Sequence, residues 1–200
     1  MGLDVYVGPL TRYYAAPERR IADQRRADPD HIRNVIVAWR LLLSAGLGRH
    51  LDWNEDSGAP HYTDRVGFAP YTGLQVLAAA VDRGESELGG DGPLPDVHLD
   101  HPVWRAAAGG PSPRFPHLYF SDLWLPCNFS DTLTSVDPFG ERVTVGSSVR
   151  LLAELQEVHR HTGDPSQGGS FARAGRCGLA ILLDLVEKSV TERLPMCFHY

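Results

Sequence analysis

The sequence predicts a single α+β domain over residues 1–200, with a mostly antiparallel sheet packed by three or four helices. Period-two alternation in Leu3-Asp4-Val5-Tyr6-Val7 marks a half-buried strand at the start of the chain. Apolar stripes at helical spacing recur at 32–43, 151–158 and 174–186, and no βαβ period repeats between them. The length allows one substantial core, and 42% hydrophobic with 22% charged residues excludes a globally disordered chain.

Each element has its own signal. Gly8-Pro9 ends the first strand (3–8). Asp28 is the expected cap of a helix over 29–45, with Pro29 in its first turn. Ile32, Val35, Ile36, Trp39, Leu42 and Leu43 form its buried stripe, and Gly46 and Gly48 stop it. His50 to Tyr71 lacks periodicity and is read as an ordered loop. A short helix capped by Thr72 follows, using Leu74, Leu77, Ala80 and Val81 and ending at Gly84.

Residues 84–116 are rich in Gly and Pro and read as an irregular insertion with one helical turn near Pro102 to Ala107. His117 to Pro126 is apolar on both faces, the pattern of a strand near the middle of a sheet. Leu133 to Val145 reads as a hairpin turning at Asp137-Pro-Phe-Gly140. Ser147 or Ser148 caps a helix to His161 with Leu151, Leu152, Leu155 and Val158 inward. Another helix covers about 171–193, with Ala174, Cys177, Ile181, Leu182, Leu185 and Val186 inward and Asp184–Lys188 as an outer i,i+4 pair. Leu194-Pro195 breaks it before a short final strand.

A net charge of −6 opposes phosphate backbones and acidic lipid surfaces, so neither nucleic acid nor membrane is expected as a partner. The basic cluster Arg19, Arg20, Arg25 and Arg26 is interrupted and carries no aromatic platform, as solvated surface does. Lys188 is the one lysine among nineteen basic residues, a composition that a GC-rich bacterial genome would produce. Cys127, Cys177 and Cys197 are odd in number and lack CxxC spacing, which suggests neither a disulfide framework nor a zinc knuckle. With no leader-like segment and no membrane-length apolar run, the expected location is the cytoplasm.

Several strings imitate functional motifs. Asp96-Val-His98-Leu-Asp100-His101 resembles the HxHxDH metal motif of the metallo-β-lactamase superfamily, but it follows a Gly/Pro-rich run where that motif follows a buried strand. His98, Asp100 and His101 are therefore weak metal candidates, and no metal or other cofactor is expected. Asp52-Trp-Asn54-Glu-Asp56-Ser-Gly58 looks like half a calcium loop. Its turn glycine comes one position late, and Thr63 stands where a bidentate glutamate belongs. Cys127 follows a predicted strand, yet no histidine or helix N-terminus is placed beside it, so a buried inert thiol is the favoured reading. No G-x-S-x-G elbow, Walker loop, G-x-G-x-x-G or HExxH is present.

Met1-Gly-Leu-Asp-Val-Tyr-Val-Gly-Pro-Leu-Thr-Arg-Tyr13, Leu51-Asp-Trp53 with Tyr62-Thr-Asp64, Leu123-Trp-Leu-Pro126, and Glu187-Lys-Ser-Val190 with Arg193-Leu-Pro-Met196 together resemble a group of uncharacterised bacterial proteins. The resemblance implies a bacterial cytoplasmic protein and transfers no catalytic residue.

Two functions follow from this reading. The first is a non-catalytic binding protein, immunity- or inhibitor-like, that masks a basic protein partner. The acidic charge, the missing catalytic motifs and the acidic-aromatic segment 52–71 support it. The alternative is an enzyme on a small polar ligand. Its pocket would combine Asp4, Tyr6 and Arg12, on or just after the first strand, with Asp52, Trp53, Tyr62, Asp64 and Tyr71. A metal-dependent enzyme ranks third.

Overall fold

The computed structural model describes residues 2–15, 29–84, 101–162 and 169–199. Six strands form one sheet: β1 (Gly2–Val7), β2 (Tyr62–Gly67), β3 (Leu123–Leu125), β4 (Leu133–Val136), β5 (Arg142–Ser147) and β6 (Met196–His199). Their order is β2-β1-β6-β3-β5-β4. Every neighbouring pair is antiparallel except β3–β5, which is parallel. The fold is α+β, as the missing βαβ period predicts. Among the described residues seven helices rather than three or four pack on it: α1 (Leu10–Ala15), α2 (Pro29–Gly46), α3 (Phe68–Asp82), α4 (Pro102–Ala108), α5 (Pro116–Phe120), α6 (Ser148–His161) and α7 (Ser170–Glu192).

Both faces of the sheet are covered. Leu3, Val5 and Val7 of β1 enter a core with α3, α5, α6 and α7, which also holds Trp124, Met196 and Phe198. Tyr6 points the other way. It joins a second core with Leu10 and Tyr13 of α1, Ile32, Ile36, Trp39 and Leu43 of α2, and Leu51 and Trp53. Strand alternation thus feeds two cores, and the polar-looking face of β1 is half apolar packing.

Three segment boundaries move, each for a tertiary reason. The expected strand over 117–126 is helix α5 followed by the short β3. Pro116 suits the first turn, and the Glu154 carboxylate of α6 accepts the N–H groups of His117 and Leu118 at 3.2 and 2.8 Å. The expected loop 50–71 contains β2, which pairs along the whole of β1. Helix α3 starts at Phe68 without a side-chain cap, leaving Thr72 buried inside it.

The inward face of α7 differs from the expected stripe. Cys177 is exposed, while Gly175 and Gly178 are buried against α3. A Cβ on Gly178 would lie 2.4 Å from the Pro70 carbonyl oxygen, and one on Gly175 would lie 2.7 Å from that of Gly73. Backbone-to-backbone contact between α3 and α7 therefore requires glycine at both positions. In α2, Leu42 is 70% exposed, so the buried stripe narrows to Ile32, Ile36, Trp39 and Leu43. The hairpin at 137–140, the Ser147 cap (its Oγ accepts from Arg150 N–H at 3.1 Å) and the final strand follow the sequence reading.

The Asp28 cap, the Arg19–Arg26 cluster and residues 85–100 lie outside the described residues. No helix among the described residues is long and apolar enough to cross a membrane.

Candidate functional site

The segment 51–59 is fixed in place by its own side chains. Trp53 is buried against Trp39, with the Arg40 guanidinium 4.0 Å over its ring. Glu55 reaches the start of α1 and accepts from Leu10 N–H (3.1 Å), Thr11 N–H (2.8 Å), Thr11 Oγ1 (2.8 Å) and Trp53 Nε1 (2.5 Å). It is a cap donated from a distant segment. Asp52 is clamped between Arg40 (3.3 Å) and Arg193 (2.6 Å), while Asn54 and Asp56 close local side-chain turns onto Asp56 N–H and Gly58 N–H. The calcium-like spacing is thus used for turns and ion pairs.

The other proposed pocket residues disperse. Tyr6 donates its hydroxyl to Pro9 O at 3.1 Å, and burial pushes its pKa up. Tyr71 lies on the opposite side of the sheet, edge-on to Phe198 and within 2.8 Å of Gln75 Nε2. Asp4 forms a two-point ion pair with Arg65 (2.6 and 3.0 Å) on the face carrying Tyr6. Arg12 is exposed on α1. Tyr6 and Tyr71 thus enter different cores on opposite faces of the sheet.

Tyr62 and Asp64 do come together with groups that the sequence reading assigned only to the outside of a helix. Lys188 of α7 stands 5.1 Å over the Tyr62 ring and bonds Asp184 at 2.5 Å. The hydrogen bond to Asp184, and then the charges of Asp184 and Asp64, hold the Lys188 pKa above its usual value. Glu187, one helical turn from Asp184, is exposed beside them. Asp64, Asp184 and Glu187 thus form an acidic ridge along the β2 edge and the C-terminal half of α7, with Lys188 as its cation. Asp184 and Glu187 also line an open groove of about 980 Å³ together with Arg160, Arg173 and Arg176, so acidic and basic side chains share its walls. The signal available beforehand was the i,i+3 spacing of Asp184 and Glu187. What it lacked was the partner strand.

Buried titratable groups serve the frame. His117 Nδ1 accepts from Ser147 N–H (3.0 Å) and Nε2 meets Ser130 O (3.1 Å), which a neutral Nε2–H ring satisfies completely. Burial lowers its pKa. Burial likewise raises Glu154 to about 8. The Cys127 thiol donates to Asp52 O at 3.2 Å, and burial holds its pKa above the usual thiol value, the reverse of what an activated nucleophile needs. Among the described residues no three His, Cys, Asp or Glu side chains are grouped to hold a metal, while His98 and Asp100 fall outside them.

Residues 1–177 match a family model described as "Putative DNA-mimic protein". No curated protein and no solved structure matches the chain. The match overturns one expectation. The negative charge argued against any link to nucleic acid, whereas the family description points to proteins that bind DNA.

Proposed function

Because the chain belongs to this DNA-mimic family, we propose that it is a non-catalytic, inhibitor-like protein that occupies the cationic surface of a DNA-binding protein. The family match over most of the chain carries this reading. Charge supports it: the protein is −6 overall, and between residues 85 and 100 there are five carboxylates and no lysine or arginine. Geometry supports it at the ridge. Asp64, Asp184 and Glu187 project from a strand and a helix packed on the same core, so their carboxylates are held on a rigid frame. A partner's arginines and lysines accept carboxylate and phosphate oxygens through the same charge-assisted hydrogen bonds. Because such binding is largely electrostatic, it weakens steeply with salt.

The test immobilises the full chain, passes the lysate of its own host over it at low salt, and elutes with duplex DNA. The reading expects retention of a DNA-binding protein that duplex DNA and high salt both displace. It also expects poor retention by the triple variant Asp64→Asn, Asp184→Asn, Glu187→Gln. A retained partner with no affinity for DNA, or retention indifferent to added DNA, overturns it.

A further inference from the structure

The two edges of the sheet are built differently. β2 carries Asp64 and Arg65, and charges on an edge strand discourage further pairing. β4 is Leu133-Thr134-Ser135-Val136, with neither charge nor proline, and among the described residues β5 is its one neighbour in the sheet.

Register shows which backbone groups β4 turns outward. Asp137 N–H bonds Glu141 O at 2.8 Å, so in the β4–β5 register Ser135/Val143 and Leu133/Val145 are the hydrogen-bonded pairs. Thr134 and Val136 then direct their N–H and C=O away from β5. Thr144, opposite Thr134, agrees: its N–H and C=O meet Asp122 on the far side of β5. Among the described residues, the partner of these outward groups is a 3.3 Å bond from Ser135 Oγ to Val136 O.

An apolar flank of α2 lies beside this edge. Trp39 Nε1 donates to Ser135 Oγ at 3.2 Å, and Gly46 packs next to Leu133. Helical spacing places Leu42 on that same flank, 70% exposed, and Val136 is 57% exposed on the other face of the sheet.

We propose that β4 pairs antiparallel with β4 of a second copy of the chain, about a twofold axis through Ser135. This register sets Thr134 opposite Val136 of the copy twice over and closes four backbone hydrogen bonds from the outward groups. It places Asp137 opposite Leu133, so like charges do not face each other. An axis normal to the sheet keeps both α2 helices on one face and turns their Leu42 flanks toward each other. One operation therefore satisfies the edge and covers the apolar flank, which is what an isologous interface requires. The acidic ridge lies at the opposite edge of the sheet, so the dimer presents two ridges. The pairing does not depend on the proposed function.

Light scattering on the full chain at increasing concentration should approach twice the 22.0 kDa chain mass. Val136→Lys and Leu42→Glu, both at exposed positions, should halve that mass and leave the circular dichroism spectrum unchanged. In a Cys177→Ser background, which removes the exposed native thiol, Ser135→Cys should oxidise to a covalent dimer. Val136→Cys, whose opposite residue is Thr134, should not. A monomer at every concentration, a dimer that survives Val136→Lys, or equal cross-linking at 135 and 136 overturns the proposal.

Discussion

The carboxylates of segment 52–56 and those of the β2–α7 ridge look alike in the sequence and differ in what they are bonded to. Glu55 accepts four hydrogen bonds and Asp52 answers two arginines, so their charge is committed within the chain. Asp184 and Asp64 share Lys188, and Glu187 stands exposed beside them. A carboxylate committed internally contributes to stability, and an outward one contributes to the field a partner meets. Counting acidic residues cannot separate the two classes. Mutation can.

Glu154 is the extreme of the committed class, and pH should expose it most strongly. Its folded pKa of about 8 lies above the ordinary 4.5, so between those values the folded protein holds a proton that the unfolded chain has released. Stability should therefore fall as pH rises from about 5 to about 8, by several kcal/mol at roughly 1.4 kcal/mol per pKa unit. His117, with its lowered pKa, acts in the opposite sense and costs stability as pH falls below its ordinary 6.5. Urea melts across this range should slope downward for the wild type and flatten for Glu154→Gln. A flat wild-type profile would remove Glu154 from this class.

Glu55→Ala strands the N–H groups of Leu10 and Thr11 and should cost about 2–4 kcal/mol. Affinity for a DNA-binding partner, measured on the folded fraction, should stay within about twofold, the size of effect expected of a charge outside the contact. A large affinity loss at constant stability would erase the distinction between the two regions.

The triple ridge variant Asp64→Asn, Asp184→Asn, Glu187→Gln should show the mirror image. Its stability should stay within about 0.5 kcal/mol per site, as exposed substitutions usually do. Affinity should drop about 10- to 100-fold at low salt, with a shallower salt dependence. Isothermal titration at two salt concentrations reads both quantities. The smallest change is expected from Lys188→Gln, which removes the ridge's cation and should tighten binding about two- to fivefold. Weaker binding would show that the partner uses Lys188 directly.

How much of this was legible beforehand can be followed residue by residue. Strand β1, the hairpin at 137–140, the core positions of α6 and four of the six expected in α2 were readable, because each is written as a local period or turn. The histidine string and the calcium-like loop drew attention through residue type alone. Asp52 and Asp56 proved to be bonded within the fold, and the ridge was missed because Asp64 is more than a hundred residues from Asp184 and Glu187.

The sequence by itself determined the α+β class, the acidic balance and the start of α6 at its Ser147 cap, since propensity, capping and periodicity act over a few residues. Tertiary structure alone decided that Tyr6 and Trp53 are core, that β2 forms at all, and that Pro116–Phe120 is a helix rather than a strand. In each case the partner is remote: α2 covers Tyr6, β1 pairs β2, and Glu154 caps α5. Burial and long-range hydrogen bonds outweigh local preference by amounts that no short stretch of sequence records. The same holds for the acidic ridge. Its charges were countable from the start, but only the packing of α7 against β2 put them on one surface.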